Sequence, residues 1–368
     1  MSDPREHDMV QQLHGWLGEL VEVSGSDLHV KVGSAPRIRE QGRLRRLRRG
    51  PLTPEETEAL AREIVPAWRR PDFDEQGEVD FAYSVSGLGR FRVNAFRQRG
   101  SASMVFRLLH VGGVPFDELG LPASVRALTD EARGLVLVTG PTGSGKTTTL
   151  AAMIEHINRT RPVHIVTIED PIEVLHPDHE ALVAQREVGQ DTGGFLQAIR
   201  AALRQDPDVI LIGEMRDPDT VMAALQAAET GHLVLSTLHT SNAVETVNRV
   251  VDFFPPIQQN QARVTLASAL RGIVCQRLVP TVDKRRTAAV EVLVNTGRVA
   301  ERILDPARTE EIKEVIREGG FYGMQSFDQS LLQLVEARRV DVEEAMAAAS
   351  EPHDFQLMLQ QARLLPTG

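Results

Sequence analysis

The chain has 368 residues, 25% charged and 42% hydrophobic, with a formal net charge of −10, which suits a globular protein of two domains. The acidic balance disfavours nucleic acid as a partner, and Cys275, the single cysteine, excludes an internal disulfide and a multi-cysteine zinc site. No apolar stretch reaches the roughly 20 residues that cross a bilayer, and the N-terminus is polar and acidic, so we expect a cytoplasmic protein that meets a membrane only through a partner.

The first region, residues 1–112, predicts a small α+β domain. Apolar residues at helical spacing predict a helix over Val10–Val21. Thr53, followed by Pro54 and then by Glu56, is typical of a helix start with a capping box. Alternating or β-branched runs predict strands at Asp27–Val32, Asp80–Val85, Phe91–Phe96 and Ser103–Leu109. Two glycines and a proline at residues 112–115 then favour a domain boundary near residue 113.

A run of seven arginines lies between Arg37 and Arg49. Such a run could contact nucleic acid or anionic lipid. Ile38, Leu44 and Leu47 interleave it without any aromatic residue, which favours a strand with a solvated basic face.

The second region, residues 113–368, alternates strands with helices. The predicted strands are Leu135–Thr139, His164–Ile168, Val209–Ile212 and Leu233–Thr237, and the predicted helices are Thr148–Asn158, Gly194–Leu203 and Thr220–Glu229. This alternation predicts an α/β fold, with a buried and largely parallel sheet covered by helices on both faces. From about residue 256 we expect an almost entirely helical segment.

A phosphate-binding loop follows the first of these strands. Its pattern is G-x-x-x-x-G-K-T, and it runs from an apolar strand directly into a helix, which is the context that the motif requires. The glycines let backbone N–H groups wrap around phosphates, the lysine can reach the terminal phosphates, and the threonine hydroxyl can bind Mg²⁺. The candidate nucleotide-binding residues here are Gly140, Pro141, Thr142, Gly143, Ser144, Gly145, Lys146, Thr147 and Thr148.

Carboxylates follow two further strands of the predicted sheet. Ligands collect at the carboxyl ends of parallel strands, so Glu173 and Glu214 should lie beside Lys146. We predict that Glu214 binds Mg²⁺ together with Thr147, and that Glu173 is the general base that activates water. The two glutamates could exchange these roles. Glu169 and Asp170 have either a structural role in their loop or a catalytic one.

Two histidines flank the strand over residues 233–237. His239 follows this strand, where it could sense a γ-phosphate by hydrogen bonding. His232 precedes the strand, where a turn-stabilising hydrogen bond and a catalytic role are both open.

Together these segments resemble the secretion and pilus ATPases, and among them the PilT-like type IV pilus retraction ATPases. Four segments carry the resemblance in the second region, and their order makes it far more specific than a phosphate loop alone: residues 140–147 (GPTGSGKT), 167–173 (TIEDPIE), 198–217 (AIRAALRQDPDVILIGEMRD) and 230–240 (TGHLVLSTLHT). Residues 26–30 (SDLHV), 89–94 (GRFRVN) and 322–331 (YGMQSFDQSL) extend it over nearly the whole chain.

The resemblance implies a PAS-like N-terminal domain, a RecA-like P-loop ATPase domain with bound ATP or ADP and Mg²⁺, and a homohexameric ring. It implies hydrolysis of ATP to drive pilus retraction and twitching motility, on an inner-membrane platform protein at the cytoplasmic face. It also implies that arginines surround the phosphates: Arg92 and Arg107 from the first domain, and Arg200, Arg204 and Arg277 from the second. Arg200 and Arg204, four residues apart, would share one helix face, which could equally be a solvated face.

Two features bear on the branch of the family. Extension and secretion ATPases typically carry a four-cysteine zinc module, and this chain has one cysteine. The segment Val299–Asp305 keeps the apolar positions found in retraction motors but has acids in place of their two arginines, which leaves its partner contact and the pilus role open. The alternatives are an extension or secretion ATPase, a nucleic-acid translocase, and a nucleotide-dependent regulator that does not hydrolyse ATP.

Overall fold

The chain divides into two units, Met1–His110 and Val111–Gly368. The computed structural model describes residues 4–365, with side chains from Asp8 onward. Each unit has an apolar core of its own.

The first unit is a small α+β module around an antiparallel sheet. Its helices are α1 (Pro4–Glu22), α2 (Pro54–Ile64) and α3 (Arg70–Gln76). Its sheet has the order β3-β2-β1-β6-β5-β4, with β1 (Asp27–Lys31), β2 (Arg37–Glu40), β3 (Arg43–Arg46), β4 (Glu78–Val85), β5 (Gly89–Gln98) and β6 (Ser101–Leu108). Thr53 caps α2 with the predicted capping box, and the predicted strands are all present.

The arginine run forms the β2–β3 hairpin and the turn after it rather than one strand. Ile38 is fully buried, and Leu44 is exposed. Acidic side chains neutralise part of the run, since Arg45 contacts Glu19 and Glu40. The structure therefore has a partly paired, solvated basic surface here.

The second unit is built on a seven-stranded sheet of order β11-β9-β12-β13-β8-β14-β15. Neighbouring strands are parallel except for the last pair. The strands are β8 (Gly134–Thr139), β9 (His164–Glu169), β11 (Leu182–Glu187), β12 (Val209–Ile212), β13 (Leu233–Leu238), β14 (Leu270–Pro280) and β15 (Arg286–Val294). Two two-residue strands, β7 (His110–Val111) and β10 (Val174–Leu175), lie outside this sheet. The predicted α/β class with a parallel-rich sheet is confirmed.

Helices cover both faces of this sheet. Its strands β8, β12 and β13 are consequently buried at every position, as expected for parallel strands that are packed on two sides. Leu150, Met153 and Ile154 of α5 pack on one face, and the core of the other face includes α6 to α9. The helices are α4 (Ala123–Ala127), α5 (Lys146–Thr160), α6 (Phe195–Ala202), α7 (Pro218–Glu229), α8 (Ala243–Asp252), α9 (Pro256–Ala269), α10 (Gly297–Leu304), α11 (Ile312–Glu318), α12 (Phe327–Glu336), α13 (Val342–Ala348) and α14 (Pro352–Gln361). Short 3-10 helices lie at Ala67–Arg69, Phe116–Leu119, Pro306–Glu311 and Gly319–Tyr322.

The expectation of an almost wholly helical segment from about residue 256 is wrong. β14 and β15 form a long antiparallel pair here, and β14 also joins the sheet beside β8. Both strands are mostly buried, so their apolar residues do not alternate cleanly with polar ones, and such runs resemble buried helices in sequence.

Cys275 lies in the middle of β14 and is fully buried. Burial raises the pKa of its thiol well above the ordinary value. Across residues 4–365, no helix combines the length and apolar character needed to traverse a bilayer.

Candidate active site

The loop between β8 and α5 needs its glycines for conformation and for space. Gly140, Gly143 and Gly145 all have positive φ, at +144°, +79° and +92°, where side chains are strained. At Gly140 a Cβ atom would lie 2.4 Å from the carbonyl oxygen of Gln276 on β14. The loop is therefore pressed against the sheet, and its last residue leads directly into the N-terminus of α5.

Lys146 holds this loop closed. Its Nζ atom donates hydrogen bonds to the carbonyl oxygens of Gly140 and Pro141, at 2.7 and 3.0 Å. Burial lowers the pKa of Lys146, and the nearby Glu214 carboxylate opposes that shift. The side chain thus places a cation and its donors inside the curve of the loop, where phosphate oxygens would be bound.

Glu214 and His239 meet beyond the adjacent ends of β12 and β13. Backbone hydrogen bonds fix the Glu214 segment, since Gly213 donates to Ile168 and Met215 to Thr237. One carboxylate oxygen of Glu214 lies 3.8 Å from His239 Nε2. The other oxygen contacts the guanidinium of Arg216, which is 68% exposed.

The end of β9 and the loop after it carry a half-buried glutamate, Glu169, and an exposed one, Glu173, and both line the cavity described next. Glu169 accepts hydrogen bonds from Thr167 Oγ1 at 2.6 Å and from Gln185 Nε2 at 3.2 Å. Burial raises its pKa, against the effect of these bonds. Glu173 is exposed to the cavity described next. These contacts favour a structural role for Glu169, while Glu173 is free to meet a ligand.

These segments surround one cavity of about 580 Å³. Half of the residues predicted for the site line it: Thr142, Gly143, Gly145, Lys146, Thr147, Thr148, Glu173, Glu214 and His239. Gly140 and Ser144, which are buried, and Pro141, which is exposed, belong to the same loop but do not line the cavity. The carboxyl ends of the parallel strands thus bring the separate motifs together at one edge of the sheet.

Two predicted residues point elsewhere. Arg277 donates to the carbonyl of Ala348 at 3.0 Å, and its guanidinium lies 3.9 Å from the ring centre of Phe327. Its neighbour Gln276 faces α5 and donates to Thr149 Oγ1, and successive strand residues face opposite sides of a sheet. Arg277 is therefore on the wrong face of β14 for the cavity. His232 lies at the amino end of β13, with Nδ1 2.9 Å from the carbonyl oxygen of Ala227, as the turn-stabilising interpretation requires.

Arg200 and Arg204, which belong to the same unit as the cavity, do not line it within this chain. Arg200 is exposed on α6, and Arg204 lies beyond the end of that helix, where it donates to the carbonyl of Arg200 at 2.9 Å. The prediction of a shared helix face is therefore wrong. Arg92 and Arg107 lie opposite each other on β5 and β6 of the first unit, and Arg107 pairs with the buried Asp27 at 2.9 Å.

Three residues with titratable side chains line the cavity but were not predicted from the sequence: His176, Arg216 and Arg286. Arg216 lies two residues after Glu214, within the segment 198–217 that carries the family resemblance. Its closeness to a predicted site residue was therefore a signal that could have identified it. Arg286 begins β15, which was expected to be helical, and no sequence signal identified it.

The type II/IV secretion system protein family matches the chain over residues 68–362. The chain belongs to this family. It is similar to the type IV pilus retraction ATPase PilT of Pseudomonas aeruginosa, with 44% identity over 90% of this chain and 96% of that protein. It is 42% identical to the type IV pilus ATPase PilU of the same species, over 93% of this chain and 89% of the relative.

A crystal structure of the pilus retraction motor PilT with bound ADP is similar in fold to this secretion-family chain. The TM-score is 0.84 at 43% identity, covering 92% of this chain and 97% of the other. The resemblance that the motifs predicted is confirmed.

A magnesium ion fits the oxygen donors of this secretion-family site. The Thr147 hydroxyl and the Glu214 carboxylate both line the cavity, and Mg²⁺ prefers one or two protein oxygens together with phosphate oxygens and water. No cluster of three or more His, Cys, Asp or Glu suited to a metal occurs among the described residues.

Proposed function

We propose that the chain is an ATP-hydrolysing motor of type IV pilus retraction, with its active site in the cavity around the phosphate loop. One observation carries the proposal: a lysine held in a glycine loop faces two carboxylates and a histidine from three different strands across one cavity. Family membership and the similarity to retraction ATPases support it.

In this proposal each side chain has a defined task. Lys146 and the backbone N–H groups at the start of α5 bind the β- and γ-phosphates. Thr147 and Glu214 would hold Mg²⁺, which when bound would neutralise charge on the phosphate oxygens. Glu173 orients the attacking water and takes its proton. His239 donates a hydrogen bond to the γ-phosphate, so that release of this phosphate after hydrolysis breaks a contact at the carboxyl end of β13. The exchange of roles between Glu173 and Glu214 remains the alternative.

The motor requires a ring of identical subunits. We propose a homohexamer in which four arginines, the exposed Arg107, Arg200 and Arg204 and the half-buried Arg92, bind phosphate charge as rings of this class are expected to do. Arg277 has no part in this proposal, because its guanidinium is committed to Phe327 and Ala348. His232 has none either, since its ring is bound to the turn that precedes β13.

Work on a pilus requires a partner, and we propose an inner-membrane platform protein contacted from the cytoplasmic face. The single cysteine and the similarity to PilT and PilU favour retraction over extension or secretion. The net charge of −10 disfavours a nucleic-acid translocase, and stimulation of hydrolysis by DNA would reverse that preference.

The test is phosphate release by the purified chain, measured together with its mass in solution. Glu173→Gln should bind ATP normally but hydrolyse it at least about 100-fold more slowly, because the amide cannot accept the proton of water. Glu180→Gln, an exposed change in the same region but outside the cavity, is the matched control and should keep the full rate.

Normal hydrolysis by Glu173→Gln would move the base to Glu214. If the wild-type chain, assembled as a ring, neither bound nor hydrolysed ATP, the motor assignment would be overturned.

A further inference from the structure

The loop that carries Glu173 is fastened to the helix that follows the phosphate loop. His176, three residues after Glu173, places Nδ1 3.4 Å from Oε2 of Glu155 on α5. The two side chains are only 3% and 6% exposed. His176 also lines the cavity, so this contact lies between the nucleotide site and the interior of the unit.

Further bonds make the attachment continuous. The Asn158 side chain, one turn of α5 beyond Glu155, donates to the carbonyl of Pro177 at 2.7 Å and accepts from the N–H of His179 at 3.1 Å. On the other side of the loop, Gln185 of β11 accepts from the His176 N–H at 2.8 Å and donates to the Val174 carbonyl at 2.9 Å. The loop is thus held between α5 and β11, with the imidazole of His176 as its buried link to the helix.

The electrostatics favour a charged glutamate and a neutral histidine. Burial opposes ionisation of Glu155, but the hydrogen bonds from Arg159 and His176 and the charge of Arg159 outweigh it, so the pKa of Glu155 lies below its ordinary value. Burial lowers the pKa of His176, although the Glu155 carboxylate opposes this. A neutral ring can donate to Glu155 only with its hydrogen on Nδ1, so the contact fixes the tautomer as well as the orientation of the ring.

α5 links this anchor to the phosphates. Glu155 is nine residues after Lys146 on one continuous helix, which is about 14 Å along the axis at 1.5 Å per residue. A shift of the helix N-terminus on phosphate binding would therefore move Glu155, and with it the end of the loop that carries Glu173.

We propose that Glu155 and His176 are a positioning pair that couples the phosphate-loop helix to the Glu173 loop, so that bound nucleotide brings Glu173 into its working place. The proposal rests on the function proposed above for Glu173. Neither residue of the pair takes part in the chemistry itself.

Amide hydrogen exchange with a non-hydrolysable ATP analogue and Mg²⁺ tests the coupling without requiring hydrolysis. In the wild-type chain the analogue should slow exchange about tenfold in residues 140–147 and also in residues 172–178. In His176→Phe, which keeps a ring but has no donor, residues 140–147 should stay protected while residues 172–178 lose most of the effect. The value of kcat should fall about tenfold with KM changed by less than about twofold, because misplacement of a catalytic group affects the chemical step.

Two further variants separate positioning from simple structural damage. His176→Asn restores a donor near the position of Nδ1 and should recover much of the protection and of kcat. His179→Phe is the matched control, since His179 Nε2 also lies 3.4 Å from Glu155 but its side chain is 32% exposed and outside the cavity. It should change neither measurement by more than about twofold.

Equal protection of both segments in His176→Phe, or an equal loss in His179→Phe, would overturn the pair. If His176→Phe does not fold, Glu155→Gln keeps the side-chain shape without its charge and must uncouple the same two segments. An analogue that protects neither segment of the wild-type chain would overturn the proposed nucleotide site, and the coupling with it. Protection of residues 140–147 alone in the wild-type chain would overturn only the coupling.

Discussion

Similar side chains are hydrogen-bonded at the amino edge of the parallel sheet but exposed at its carboxyl edge. At the amino edge, His232 and His164 have ring nitrogens 2.9 to 3.2 Å from backbone carbonyl oxygens, and Asp208 accepts from the His164 N–H. At the carboxyl edge, His239 is 56% exposed and Glu173 faces the cavity. Residue type therefore does not decide whether a side chain here is hydrogen-bonded to the backbone or faces the cavity; the end of the strand to which it is attached does.

The difference between the two edges arises from the direction of the parallel strands. Each crossover helix returns to the amino edge, so helix ends and turns supply carbonyl oxygens there, and those oxygens accept hydrogen bonds from nearby side chains. Strands leave the carboxyl edge into loops, whose side chains remain free for a ligand. Substitutions of matched residues at the two edges test this difference.

The largest effect is expected at Lys146. Lys146→Ala should weaken binding of a fluorescent ATP analogue by about 100-fold, because a charged donor to phosphate is worth about 2–3 kcal/mol, and hydrolysis should become undetectable. Equilibrium titration measures the binding, and the thermal unfolding midpoint controls for folding. Tight binding by a folded variant would place the phosphates elsewhere.

A smaller effect is expected at His239. His239→Ala should lower the rate of phosphate release by about tenfold or more, since it removes the hydrogen bond proposed above to the γ-phosphate, whose charge changes in the reaction. Because the ring is exposed and its Nε2 atom lies 3.8 Å from the Glu214 carboxylate, beyond hydrogen-bond distance, the unfolding free energy should hardly change. A stability loss without a change in rate would mean that His239 resembles the histidines of the amino edge.

The smallest effect on activity is expected at His232. His232→Ala should leave the rate of phosphate release per folded molecule within about twofold of wild type. It should lower the unfolding free energy by about 1 kcal/mol, as expected for one lost hydrogen bond. Chemical denaturation and the phosphate assay on the same preparation give both values. A large loss of rate at full stability would show that the amino edge takes part in catalysis.

The features that could be predicted from the sequence are those that local chemistry determines. The capping box at Thr53 and the strand–loop–helix around Lys146 were predicted from a few adjacent residues, and the structure has both. The carboxyl-edge rule also predicted that Glu214 and His239 would meet, although 24 residues separate β12 from the paired positions of β13. These features depend on short-range geometry and on one topological rule.

The rest depends on long-range pairing. Arg277 was assigned to the phosphates, but the face on which it lies is set by the register of β14 against β8, which no local pattern specifies. Arg286 was not predicted for the same reason. It reaches the cavity only through the antiparallel pairing of β15 with β14. The link between His176 and Glu155 joins residues 21 positions apart, and neither belongs to a motif.

The buried thiol of Cys275 has a practical consequence. Since the chain carries one cysteine, and burial in the sheet keeps it in the unreactive protonated form, a thiol reagent can modify the native protein only when the strand beside the phosphate loop opens. The speed of labelling is therefore a direct gauge of how firmly this strand stays in place, and it can be followed with and without nucleotide on the unaltered chain.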